Sequence, residues 1–255
     1  MRFMLRLLAR LVGAIVLFFA GPLAVLTLGD LDFDADWRTA DRSAAHIAPK
    51  AEDTPEALVQ IWGARAFRWR GAFGLHTWIA LKPTNATRYE IYQVIGWYAR
   101  GGRSSVVSDY GPPDRRWYGA EPKLYGEIRG AAAASAIPRI REAIATYPSA
   151  RRYVVWPGPN SNTFVSHIAR AIPELVVDLP PHALGKDFLL DGAWIAPAPS
   201  NTGFQVSARG LFAVTLAREE GLEVSVLGLT FGLDPNDLAI KLPGLGKLSL
   251  REPPT

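Results

Sequence analysis

Apolar and polar positions divide the chain into three regimes. Residues 11–29 run for nineteen positions without a charge. That is about the length of helix needed to cross a hydrocarbon layer of roughly 30 Å. Arg2, Arg6 and Arg10 precede the run, and Asp30, Asp32, Asp34 and Asp36 follow it. The asymmetry predicts a membrane anchor with its N-terminus inside and the bulk of the chain outside. A cleaved signal sequence is the rival reading, but no clean small-residue cleavage site follows the run. Residues 30–54 are polar, rich in Asp and Ala, and read as a tether.

From residue 55 the pattern alternates. Strands are predicted over 57–64, 75–81 and 88–98, separated by an Arg- and Gly-containing turn at 65–74 and by Lys82-Pro83-Thr84-Asn85. Residues 99–120 read as a long loop, a type of segment that is commonly functional or disordered. The embedded Trp117 and Tyr118 predict an ordered loop that covers something. A short helix is expected over 121–130. A longer one is expected over 131–147, where Ile137, Ile140 and Ile144 recur at helical spacing around Pro138, and Pro148 ends it. A strand over 151–156 then leads into an amphipathic helix over 161–172. Beyond Asp178 the character changes to short strands at 187–195, 204–208, 211–217, 222–229 and 238–241, with Glu219-Glu220-Gly221 as a hairpin turn. The fold class is α+β. Its units are an anchor (1–29), a tether (30–54), a core (55–185) and a C-terminal β-rich extension (186–255).

Composition removes several chemistries. There is no cysteine, and the two methionines are Met1 and Met4. Disulfides, thiolate catalysis and cysteine metal sites are therefore excluded. The formal charge of +4 comes mostly from Arg2, Arg6 and Arg10, so no nucleic-acid surface is read. His46, His76, His167 and His182 show no ligand spacing, and no metal site or cofactor is expected. His167 reads as a packing residue, and His46 and His182 as solvated. Arg65, Arg68, Arg70 and Arg103 read as a solvated edge, with an anionic-headgroup site as the alternative.

Candidate chemistry sits in two places. Asn160-Ser161-Asn162-Thr163-Phe164 opens the second helix, and a helix N-terminus favours negative charge. Ser161 there reads either as a nucleophile or as an ordinary helix cap. Gly74-Leu75-His76-Thr77-Trp78 places His76 on an early strand, as a base or as a core histidine with a backbone partner.

The order of these two motifs resembles the circularly permuted papain-like hydrolases: permuted NlpC/P60 proteins, lecithin:retinol acyltransferase-like proteins and PPPDE peptidases. In them a strand histidine precedes a cysteine at a helix start, often within Asn-Cys-x-x-Phe, and Ser161 stands at the cysteine position. The run from Trp117-Tyr118-Gly119-Ala120 through Tyr147-Pro148 to Trp156-Pro157-Gly158-Pro159-Asn160-Ser161-Asn162-Thr163-Phe164 more closely resembles an uncharacterised bacterial family, domain of unknown function 3750, over about residues 55–250.

The papain-like resemblance implies an antiparallel sheet with packed helices, with His76 as base and Ser161 as nucleophile. A third polar group would orient the imidazole. Glu90 and Gln93 on the next strand are both candidates, and Glu90 completes the candidate catalytic set. Asn160, Asn162, Trp117 and Tyr118 are the candidate substrate-binding residues. The implied activity is amide or ester hydrolysis of a peptidoglycan or lipid substrate, at a bacterial inner membrane crossed once with the C-terminal domain facing the periplasm. Serine ionises far less readily than cysteine, so the alternative is an envelope protein that uses the same groove for binding or structure without catalysis.

Overall fold

The computed structural model describes residues 2–250. Its first elements are two helices, α1 (Arg2–Phe18) and α2 (Ala20–Leu28), bent by 61° at Phe19. Pro22 accounts for the break, because its ring clashes with the carbonyl four residues back, that of Phe18, and it has no N–H to donate there. The run expected as one helix over 11–29 is therefore parts of two helices that meet at Phe19. No single helix among the described residues is long and apolar enough to cross a membrane, whereas the bent pair together has that length and composition. The helices also differ in surroundings. The side chains of α1 are exposed almost throughout, while Gly21, Pro22 and Val25 of α2 are buried. Gly21 lies so close to the Pro243 carbonyl that an added Cβ would stand 2.0 Å from its oxygen.

The first sheet contains β1 (Leu58–Arg65), β2 (Leu75–Lys82), β3 (Tyr89–Val94), β4 (Val106–Gly111) and β5 (Lys123–Arg129). The short helix α3 (Gly96–Arg100) joins β3 to β4, and α4 (Gly130–Ala145) and α5 (Ser161–Ala171) follow β5. All strand pairs are antiparallel, in the order β4-β3-β2-β1-β5. Alternation along the central strands explains their almost complete burial. Val59, Ile61, Ile79 and Leu81 face α4 and α5, meeting Ile137, Ile140, Phe164 and Ile168. Leu58, Trp62, Trp78 and Ala80 face the other way, where Ala48 and Ala51 cover them. The segment read as a tether therefore lies along the sheet. Asp114 accepts hydrogen bonds from the Ile47 and Ala48 amides (2.7 and 3.0 Å), and the Tyr89 hydroxyl donates to Pro49 O (2.9 Å).

Several local expectations change for non-local reasons. Residues 123–129 form an edge strand rather than a helix, because β1 offers them a ladder along nearly their whole length. The strand expected over 88–98 stops at Val94, and the loop expected over 99–120 contains β4. Residues 151–156 form no strand. Pro157 and Pro159 have no N–H, and the Val154 amide closes the turn onto Pro159 O (2.8 Å).

The second sheet is a seven-stranded antiparallel meander: β6 (Ile195–Pro197), β7 (Gly203–Ala208), β8 (Phe212–Ala217), β9 (Gly221–Val226), β10 (Leu229–Asp234), β11 (Ala239–Leu242) and β12 (Gly246–Ser249). The run read as one strand over 222–229 is broken by a turn at Leu227 and Gly228, both at positive φ, and the run over 187–195 is mostly irregular. Gln205, Ser207, Thr215, Glu223, Ser225 and Lys241 occupy the buried face. Glu223 is paired there with Lys186 and Lys241, and Lys241 also with Asp178. The chain is thus α+β, with two antiparallel sheets and helices packed on the first.

Candidate functional site

The start of α5 is organised by Asn160. Its Oδ1 accepts from the amides of Asn162 (2.9 Å) and Thr163 (3.3 Å), and Thr163 Oγ1 accepts from the Asn160 amide (3.1 Å). This reciprocal cap satisfies amides that a helix start leaves unpaired. The capping role is filled by Asn160, which leaves Ser161 as the first helical residue. The Ser161 amide is not among those that the cap engages. Its side chain is buried, and Oγ accepts from the Thr77 amide at 3.4 Å. That amide faces the serine because β3 pairs with β2 over Ile79, Ala80 and Leu81, and not at Thr77.

His76 precedes Thr77 and points to the opposite face of β2. Its Nε2 lies 2.7 Å from Gln93 Oε1, and its ring stacks on Trp117 with centroids 3.7 Å apart at 15°. With the Gln93 oxygen as acceptor, the ring proton is on Nε2 and the lone pair on Nδ1. Burial pushes the His76 pKa down to about 4, with the Gln93 hydrogen bond acting in the other direction. The imidazole is therefore neutral at pH 7.

Glu90 is elsewhere. Its carboxylate accepts from Arg141 Nε (3.2 Å) and from the Tyr92 hydroxyl (3.1 Å). The partner on His76 is Gln93. Side-chain parity separates the two: three residues apart on one strand, they point to opposite faces. The amides of Asn160 and Asn162 are engaged within the fold. Both donate to Leu184 O at 2.8 Å, Asn160 also donates to Val155 O (2.9 Å), and Asn162 also donates to Leu75 O (3.1 Å). Asn162 Oδ1 accepts from the Thr77 hydroxyl at 3.0 Å. Gly185, at φ +95°, permits this close approach, since a Cβ there would stand 2.3 Å from Asn160 Nδ2.

His76 and Ser161 line the same cleft, about 1040 Å³ in volume. Its walls are largely apolar, with Phe19, Trp69, Phe73, Trp97, Tyr153 and Trp156 among them. Trp117 and Tyr118 line it too, so the aromatic loop covers the histidine, as its composition suggested. Tyr118 packs on Phe67 (5.2 Å), with the Arg42 guanidinium over its ring (4.3 Å). Trp156 Nε1 donates to Leu227 O (2.9 Å) and so ties the cleft to the turn between β9 and β10. Phe19 and Trp156 had no sequence signal as cleft residues, because one lies in a membrane-like run and the other in an apparent strand.

The remaining titratable groups have other surroundings. His182, expected to be solvated, is buried and packs against Gly246; its Nδ1 has no hydrogen-bond partner among the described residues. Burial pushes its pKa down to about 3, and the positive charges of Arg65 and Lys123 add to the shift. His46 is exposed, and His167 is half-buried against Tyr147 (5.5 Å). Arg65 donates to the carbonyls of Gly71 (2.6 Å) and Gly244 (2.9 Å), and Arg68 to Ala35 O (2.8 Å). Among the described residues no three His, Cys, Asp or Glu side chains cluster as metal ligands.

The family model described as "Protein of unknown function (DUF3750)" matches residues 56–188, just over half of the chain. The match takes in the first sheet, α4, α5 and both candidate motifs, and stops before the second sheet. No curated protein and no solved structure matches the chain.

Proposed function

The chain belongs to the DUF3750 family, and from that premise we propose that it is a membrane-associated hydrolase of an amide or ester, with Ser161 as nucleophile and His76 as base. The observation that carries this reading is the neutral, Gln93-bonded imidazole sharing an apolar cleft with a buried serine hydroxyl. His76 and Ser161 share no hydrogen bond among the described residues and reach the cleft from opposite faces of β2, so the proposed reaction requires them to close on a bound substrate: Ser161 Oγ bonds to the substrate carbonyl carbon as its proton passes to His76 Nδ1. The imidazolium returns that proton to the leaving oxygen or nitrogen as its bond to carbon breaks. Water then releases the acyl group from the serine by the same proton route. The Ser161 amide at the helix start supports an oxyanion, as backbone donors do in acyl transfer.

The apolar walls favour an acyl chain, so the substrate class is a lipid ester or amide rather than a bare glycan or peptide. In this reading the bent pair α1 and α2 is the membrane-associated part, supported by its length and composition, and its flanking charges favour a bacterial inner membrane with the sheets on the periplasmic side. One observation favours a binding role for the cleft instead. Gln93 carries no charge to stabilise the imidazolium, and the corresponding carboxylate-to-amide change in a Ser–His–Asp triad lowers turnover by roughly 10⁴.

A serine-directed fluorophosphonate probe on the full chain separates the two. Labelling that disappears in both Ser161→Ala and His76→Ala, and accelerates in Gln93→Glu, supports hydrolysis. A folded protein that takes no label overturns it and leaves the cleft as a ligand-binding site.

A further inference from the structure

We propose that the outer face of the second sheet lies on a lipid bilayer. The polarity of this sheet is the reverse of what water demands. An antiparallel sheet with one face in water normally turns polar side chains outward. Here the ions and amides are turned inward, and a row of large apolar residues crosses six strands on the outside. The register places Phe204, Leu216, Leu222, Leu233, Ile240 and Leu248 side by side across β7 to β12. Phe204, Leu216 and Leu233 are 67%, 68% and 57% exposed. Among the described residues, no charged side chain occupies an outward strand position of this sheet. A contiguous apolar surface of this kind marks a contact surface rather than a water-facing one.

The occupant is identified by what adjoins the face. Phe231 points outward from β10, and its ring lies 5.6 Å from that of Phe18, the last residue of α1. The other described side chains of α1 are exposed; residues 11–17 carry no charge, and Arg6 and Arg10 lie in the half of the helix away from Phe18. The sheet face and α1 therefore form one continuous apolar surface, and a membrane that takes up α1 meets the sheet at Phe231. A bilayer covers both, with the row seated at the headgroup–acyl boundary. The inference rests on the membrane part of the functional reading, not on the chemistry of Ser161.

The absence of cysteine makes the test direct. Single variants of the full chain, Phe204→Cys, Leu216→Cys and Leu248→Cys, are labelled with an environment-sensitive fluorophore and reconstituted into phosphatidylethanolamine–phosphatidylglycerol vesicles. Val12→Cys on α1 and Glu142→Cys on α4 serve as references. The three sheet labels are expected to shift to the blue and to lose intensity to lipid-borne nitroxide, as the Val12 label does, while the Glu142 label responds to aqueous iodide. Sheet labels quenched by iodide beside a lipid-quenched Val12 label overturn the inference and leave the membrane reading standing. If the Val12 label also answers only to iodide, both fail. Sheet labels shielded from both quenchers, with energy transfer between protomers, overturn lipid contact and assign the face to a second copy.

Discussion

Glu223→Ala is expected to lower the stability of the folded chain by about 3–5 kcal/mol, the usual cost of removing one partner from a buried ion pair. The Glu223 side chain is 1% exposed and lies between two ammoniums that are themselves 2% (Lys186) and 0% (Lys241) exposed. Burial raises the Glu223 pKa, but Lys186 and then Lys241 outweigh it, and the carboxyl is held below its ordinary value. Without the carboxylate, Lys241 keeps Asp178 (2.7 Å) and the Glu220 carbonyl (2.8 Å). Lys186 loses its only hydrogen-bonded partner among the described side chains and keeps only the field of nearby carboxylates such as Asp187. Most of the penalty therefore falls on Lys186, and Lys186→Met in the Glu223→Ala background should recover a large part of it. At about 2–4 °C per kcal/mol for a chain of this size, the single variant melts roughly 6–20 °C lower. Urea and thermal unfolding of wild type, both single variants and the double variant give the coupling energy directly. A single variant within about 1 kcal/mol of wild type, or a double variant no better than Glu223→Ala, refutes the argument. The consequence reaches the cleft, because the segment that carries Lys186 also supplies the Leu184 and Gly185 carbonyls that hold Asn160, Asn162 and Thr163.

Two further outcomes follow from groups already described. His76 and His182 are neutral in the fold, with pKa values pushed down by burial to about 4 and about 3, whereas an unfolded imidazole binds a proton near 6.5. Their contribution is present above that pH and is lost as pH falls toward the folded values. The expected slope is up to about 1.4 kcal/mol per pH unit for each histidine. Urea midpoints that do not move between pH 7 and pH 5 contradict this, and His182→Gln should reduce the slope. Gly21→Ala places a Cβ 2.0 Å from the Pro243 oxygen, a backbone atom that no rotamer can relieve. The helix itself gains by up to about 1 kcal/mol from the added methyl. Faster amide exchange over residues 20–28 is therefore the mark of lost docking, and unchanged protection refutes the contact.

Periodicity alone determined β1, β2, α4 and α5, because each repeats its apolar positions at the spacing of its own backbone and is long enough for the repeat to show. It also placed His76 on a strand and Ser161 at a helix start, the two points from which the site is built. The partner of His76 was a matter of register. Glu90 and Gln93 lie on one strand with similar reach, and only the β2–β3 pairing turns Gln93 toward the imidazole and Glu90 toward Arg141 on α4. The same holds at both ends of the chain. Nineteen uncharged residues specify an apolar helix, but the bend at Phe19 and the seating of α2 depend on Pro22 and on a turn more than two hundred residues away. Alternation in the last seven strands marks two faces without saying which is inside. Asp178 and Lys186 decide it, because buried charges must meet their counter-charges, and these lie on the opposing segment.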